Sequence, residues 1–407
     1  MYFRKIFLMI LFFCEAAFCT AESEIIKKLC DDGFPHDYAV QLAPLQKKYP
    51  QWTFYALNIT KLDKKYDWAY IIYQETDAAP SRSLISGEKS FAPYFHNTDT
   101  KLYDAHCRRA SVEAVAYFLD PRNFLNERDI FQFEALTYHG KLTPESVKNA
   151  LKNSFMENGT LENGKSYAEY FYEIGIQLKI NPVFLASRAK QEQGLSGTPL
   201  ISGKCGTMMF EDTEHKKLNN KADSIPDEVK NFTREDFIKY DGLYNFFNIK
   251  ATSDRRFLIH LKGMQEAQTG TPEMTEIWGA PQWNTKWKSI YGGALKIAEK
   301  YVHNHQNTRY FQKWNVDPHS IASNGTSRNF WGQYMQNIGA AFSEAVTTYN
   351  ALKKQNLIEL PFTFIIPVYD NMPQTPSPDP AHGKCVFYRK YQLSTNNTTT
   401  SKKETLL

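Results

Sequence analysis

The stretch NPVFLASRAKQEQG, Asn181 to Gly194, decides how this chain is read. Asn181 is a good N-cap, and Pro182 suits the first helical position, where a missing N–H costs nothing. Gly194 is a natural stop. The spacing predicts a helix of about three turns. Leu185, Ala189 and Glu192 fall on one stripe, at steps of four and three. That puts a carboxylate beside apolar neighbours in the last turn. The negative end of the helix dipole disfavours an anion there, and partial burial acts the same way, so both favour a protonated Glu192. A carboxyl that keeps its proton near neutral pH is what a general acid must be. Arg188, four residues back, acts in the opposite sense. On these local features the competing reading is an ordinary surface ion pair.

Downstream, GLYNFFNIKA (Gly242–Ala251) is aromatic and rich in amides, and it reads as a strand. Aromatic faces can stack on sugar rings, and amides can bond sugar hydroxyls. An acid at a helix end beside such a strand points to cleavage of a glycosidic bond.

The surrounding chain reads as helical from about 141 to 354. Tyr167, Phe171, Ile174 and Leu178 keep helical spacing, as do Trp287, Ile290, Ala294, Ile297 and Tyr301, and Tyr334, Ile338, Phe342 and Ala345. Such stripes are usually core. WTFYALNI (Trp52–Ile59) reads as a strand, YDWAYIIYQE (Tyr66–Glu75) as strand or helix, and LPFTFIIPVYD (Leu360–Asp370) as a strand that could join the first. The polar run over 198–233 reads as a long loop walling a cleft. The expected organisation is a signal peptide at 1–21, a β-containing region at 22–140, a helical catalytic domain at 141–354, a return strand at 355–373 and a disordered tail at 374–407.

FLASRAKQEQGLSG followed by GLYNFFNIKA resembles the glucosaminidase family of peptidoglycan hydrolases, glycoside hydrolase family 73, and in particular its secreted endo-β-N-acetylglucosaminidase branch. Further stretches carry the resemblance in order over roughly 34–373. They are FPHDYAVQLAPLQKKYPQWTFYALNI (34–59), DPRNFLNERDIFQFEALTY (120–138), WNTKWKSIYGGA (283–294), QNTRYFQKWNV (306–316), YMQNIGAAFSEA (334–345) and FIIPVYDNMP (364–373). The resemblance implies an α+β protein with a mainly helical, lysozyme-like catalytic domain and a smaller β-containing N-terminal region. It implies Glu192 as catalytic acid, with Tyr244, Asn245, Phe247 and Asn248 as sugar contacts and Tyr310 near the site. Trp314 stands where the family pattern has phenylalanine. Trp283 reads as near the cleft and Trp287 as core. A second catalytic group stays open: Asp241, Asp254 and Glu266 are candidates, and the substrate's own 2-acetamido group is another. Whether the reaction retains or inverts also stays open.

The implied activity is hydrolysis of the β-1,4 bond after N-acetylglucosamine in peptidoglycan. The alternatives are the same chemistry on the chitobiose core of N-glycans or on chitin-like oligomers, as in a mannosyl-glycoprotein endo-β-N-acetylglucosaminidase, and a wall-glycan-binding protein without turnover. No cofactor and no metal is expected. His303 and His305, two apart, fall on different helix faces and read as no metal pair.

The 407 residues, 42% of them hydrophobic, suffice for a large core. Arg4 and Lys5, an apolar run and small residues ending Cys19-Thr20-Ala21 read as a secretory signal, so the protein is expected outside the cell. Of six cysteines, four follow the signal, and Cys30 with Cys385 is the expected disulfide. Asn58, Asn158, Asn231, Asn324, Asn396 and Asn397 head glycosylation sequons. A net charge of +4 is far from a nucleic-acid footprint. The expected partner is a glycan containing N-acetylglucosamine, bound by a monomer with no membrane span.

Overall fold

The computed structural model describes residues 22–382 except 104–106, 141, 253–255, 323 and 355. The expected signal peptide, Asp254, Cys385 and the last two sequons lie outside the described residues. Helices dominate and the sheets are small, the α+β mixture expected. Among the described residues no helix is long and apolar enough to cross a membrane. The chain divides into two compact units. The first runs to Ala135 and resumes at Asn304, and the second is Leu136–His303. This partition differs from the expected 141–354 domain, because residues from 304 onward pack into the first unit's core.

The first unit opens with helix α1 (22–31) and α2 (His36–Lys48). Strand β1 (Thr53–Asn58) then pairs in parallel with β5 (Thr363–Val368), Phe54 opposite Phe364, so the return strand does join it. Asn58 ends β1 and caps the short α3 (Ile59–Leu62) by accepting from the Lys61 amide. YDWAYIIYQE resolves as helix: Asp67 caps α4 (Trp68–Glu75) by accepting from the Tyr70 amide. Strands β2 (Leu84–Ser86), β3 (Leu102–Tyr103) and β4 (Cys107–Arg109) form an antiparallel sheet in the order β2-β4-β3. Ser111 caps α5 (Val112–Leu119). The sheet pair β1–β5 closes over an aromatic cluster. Trp52 lies 5.0 Å from Phe364, and Phe131 lies 5.1 Å from Phe362 and 5.4 Å from Phe364, in tilted and edge-on contacts that aromatic rings prefer.

The second unit is helical: α6 (Pro144–Ala150), α7 (Tyr167–Gln177), α8 (Pro182–Gln193), α9 (Cys205–Leu218), α10 (Arg234–Ile238), α11 (Arg256–Thr269), α12 (Met274–Trp278) and α13 (Lys286–Lys300). Capping boxes at Thr143/Ser146, Ser166/Glu169 and Thr233/Asp236 start α6, α7 and α10. The run 198–233, read as a loop, contains the 14-residue α9. Two further helices, α14 (Arg309–Trp314) and α15 (Ala340–Lys354), return to the first unit.

Candidate active site

Helix α8 forms as its sequence dictates. The Asn181 side chain accepts from the amides of Val183 (2.9 Å) and Phe184 (3.1 Å), and Gly194 ends the helix at φ 67°. Its Lys190 ammonium donates to the carbonyls of Ala150 (3.0 Å) and Lys152 (2.6 Å), which pins the last turn to the end of α6.

Gly242–Ala251 is not a strand. It is a run of turns in which Asn248 and Lys250 take left-handed φ values of 49° and 57°. Asn245 explains why. Its side-chain amide donates to the carbonyls of Ile249 and Gly263, both at 3.0 Å, while its side-chain oxygen accepts from the Ile249 amide at 3.0 Å. Short polar side chains that bond nearby backbone compete with a strand ladder. The loop is then tied to α8 through Gln193. That buried amide donates to the carbonyls of Asn245 (3.0 Å) and Phe246 (3.1 Å) and to Asn248 Oδ1 (2.9 Å), and accepts from the Thr198 hydroxyl (2.6 Å).

Glu192 stands at the seam between helix and loop. Its side chain keeps 25% of its surface exposed, and Arg188 Nε lies 3.4 Å from Oε1. Asn248 Nδ2 donates to Glu192 Oε2 and to its backbone carbonyl, both at 3.0 Å. The i,i+4 pair therefore exists, as the spacing allowed, but the carboxylate is also gripped by an amide from another segment. One oxygen faces a guanidinium and the other an amide, so the carboxyl is fixed in direction while one side remains open to solvent.

The six expected sugar contacts separate. Tyr244 and Asn248 are half-buried on the loop beside Glu192. Burial, and then the charge of Glu162, raise the Tyr244 phenol pKa. Asn245 is buried and serves the loop itself. Phe247 is buried against α13, where a Cβ on Gly293 would come within 2.5 Å of its ring. Trp283, read as near the cleft, is fully buried, and its indole N–H donates to the Thr271 hydroxyl at 3.0 Å. Trp287, read as core, is the half-exposed member of that pair and packs edge-on against Trp278. Tyr310 is fully buried in the first unit. Its hydroxyl lies 2.6 Å from the Leu119 carbonyl and 2.7 Å from the Tyr369 hydroxyl. Asn245, Trp283 and Tyr310 have no exposed surface and Phe247 keeps 6%, so in this structure the four stand as packing residues.

Of the three candidates for a second catalytic carboxylate, the two that are described, Asp241 and Glu266, are engaged in other contacts. Asp241 accepts from the Thr207 amide at 2.9 Å and from the Thr207 hydroxyl. Glu266 is buried with Lys250 at 2.9 Å and with Lys296. Burial alone would raise its pKa, but the two ammonium groups outweigh burial and lower it. Glu162 escaped notice in the sequence. It is exposed, its charge reaches Tyr244, and Oε1 accepts from the Lys286 amide in the first turn of α13 at 3.4 Å. Only its place in a turn, TLENG, would have drawn attention to it. Cys205 is buried, and burial followed by Asp241 pushes its thiol up to about 12, which suits packing and not nucleophilic attack. Cys30 is a free thiol among the described residues.

Replacing Gln193 by alanine should leave the loop carbonyls and the Thr198 hydroxyl short of partners. The expected loss is about 1–3 kcal/mol in urea unfolding. A variant as stable as wild type would mean that α8 and the loop are held by apolar packing alone.

Solved structures similar to the chain include S. aureus glucosaminidase B, 18% identical with a TM-score of 0.46, covering 82% of this chain and 96% of that one. They also include Major Bifunctional Autolysin (16% identity, TM-score 0.44, 78% of this chain and 97% of that one). A third is S. aureus Autolysin E (19% identity, TM-score 0.38, 72% of this chain and 99% of that one). Likeness at this level does not assign a family. No family profile matches the chain, and no curated protein matches it by sequence.

Proposed function

We propose that this chain is an endo-β-N-acetylglucosaminidase that hydrolyses the β-1,4 bond after N-acetylglucosamine in bacterial peptidoglycan, acting outside the cell. Glu192 gives its proton to the leaving oxygen. The observation that carries this reading is the Glu192 carboxyl itself: partly exposed in the last turn of α8 and aimed by Asn248 from the loop. A general acid must be held in direction, reach its substrate and carry a proton. The placement supports the first two, and the last-turn position and partial burial favour the proton against the pull of Arg188 and Asn248. Tyr244 and Asn248, on the same loop, contact the sugar. Asp241 and Glu266 are engaged elsewhere and Asp254 lies outside the described residues. In this reading the substrate's own 2-acetamido oxygen closes on the anomeric carbon as the leaving oxygen departs with the proton from Glu192; water then opens that ring and returns its proton to the Glu192 carboxylate.

The test is mass spectrometry of borohydride-reduced products after the full chain has been incubated with purified peptidoglycan. Reduced N-acetylglucosamine ends are expected. Reduced N-acetylmuramic acid ends would move the cut to the other bond, and no new ends would overturn the reading. A glycopeptide carrying a chitobiose core, run alongside, should be cleaved more slowly than peptidoglycan.

A further inference from the structure

Two turns of the first unit converge after α13. His305 holds a left-handed backbone at φ 62°, a conformation that costs a histidine energy and persists only where the surroundings enforce it. Asn304, just before it, is stapled to the second turn. Its side chain donates to the Ile321 carbonyl at 2.6 Å and accepts from the Ile321 amide at 2.9 Å. The second turn, Asp317-Pro318-His319, closes when Asp317 Oδ1 accepts from the His319 amide at 3.0 Å. Asn329 donates to the Asp317 and Asn315 carbonyls and fixes that turn from behind.

The result is a compact set of donor atoms. His305 Nδ1 lies 3.0 Å from Asp317 Oδ2, and His319 Nδ1 lies 3.1 Å from Asp317 Oδ1. One ligand atom from each of the three residues falls within 4.8 Å of the others. The rings lie 5.3 Å apart at 37°. Asp317 is 4% exposed, and among the described residues its ion-pair partners are these two imidazoles, with no lysine or arginine at bridging distance. A buried carboxylate without a permanent cation beside it is costly. His319 is exposed, so the cluster opens to solvent on one side.

Zinc binds imidazole nitrogen and carboxylate oxygen at about 2.0–2.2 Å in a tetrahedron, which sets neighbouring ligand atoms roughly 3.3 Å apart. The His305 and His319 nitrogens lie 3.0 and 3.1 Å from the two different oxygens of Asp317, hydrogen-bonded contacts that a carboxylate binding through both oxygens would turn into nitrogen–oxygen edges within a few tenths of an ångström of that spacing. The geometry points to a divalent transition-metal site of the zinc class formed by His305, Asp317 and His319, with a fourth position open to water. The sequence reading considered His303 with His305. The partners of His305 are instead a carboxylate and a histidine brought in by the next turn, and Glu192 belongs to the other unit. The site acts as a cross-link between the two turns.

The experiment is calorimetric titration of zinc chloride into the chelator-stripped full chain, with thermal unfolding in parallel. One zinc per chain is expected, with the melting temperature raised by roughly 5 °C at saturation. His319→Ala changes an exposed side chain, so it should fold, and it should weaken zinc binding at least tenfold, as should His305→Ala. Cobalt substitution should give d–d bands without a thiolate charge-transfer band, which separates this site from Cys30. Absence of stoichiometric binding by the wild type, or equal binding by wild type and both variants, would overturn the site.

Discussion

Glu192→Gln is expected to lower turnover on peptidoglycan by roughly a hundredfold or more, because a positioned general acid typically supplies that factor. The exchange is nearly isosteric. The contact between Asn248 and the side-chain oxygen can survive it, so urea unfolding should change little while product release falls. If glutamine retained more than about a tenth of the activity, Glu192 would not be the acid. Asn248→Ala separates aiming from proton donation. It leaves the carboxyl in place without its second grip, and should lower kcat by a larger factor than the rise in KM that loss of its sugar contact brings.

The largest effect on stability is expected at Lys313. Its ammonium lies 3.3 Å from Glu75 Oε2, and both side chains have no exposed surface. Burial lowers the Lys313 pKa, and Glu75 partly offsets the shift. Glu75 also accepts from the Ser83 hydroxyl at 2.7 Å and from the Gln333 side-chain amide at 2.6 Å. Lys313→Met would strand a buried carboxylate, at an expected cost of about 3–5 kcal/mol in urea unfolding. Combining it with Glu75→Gln removes the stranded charge and should recover much of the loss. A single variant that loses less than about 1 kcal/mol would mean that water reaches Glu75 once the lysine is gone.

The parts legible in the sequence are those written in local code. Asn181, Pro182 and Gly194 mark the ends of α8 within one residue, and the spacing of Tyr167, Phe171 and Ile174 places α7. The pairing of β1 with β5 was readable because both runs are β-branched or aromatic. The loop at Gly242–Ala251 reads as a strand because aromatic content argues for one, whereas its shape is set by Asn245 reaching Ile249 and Gly263. An asparagine's choice between loop and ligand depends on what lies across from it. The burial of Trp283 and Tyr310 is hard to read for a related reason. A tryptophan or tyrosine carries a polar handle suited equally to a sugar and to a buried acceptor, and here Thr271, Leu119 and Tyr369 take that place. Glu192 stands out in the sequence because its signal is a helix end, while its contact with Asn248 is not legible there because it crosses segments.

The parallel pairing of β1 with β5 has a consequence for biogenesis. About 300 residues separate the two strands, so at roughly 5–20 residues per second of synthesis β1 waits about 15–60 s for its partner. The second unit is contiguous and can fold on emergence, while Phe54 and its neighbours still lack the strand that completes their layer. During that interval the nascent N-terminal segment presents an unpaired strand edge, the feature most in need of a chaperone's protection.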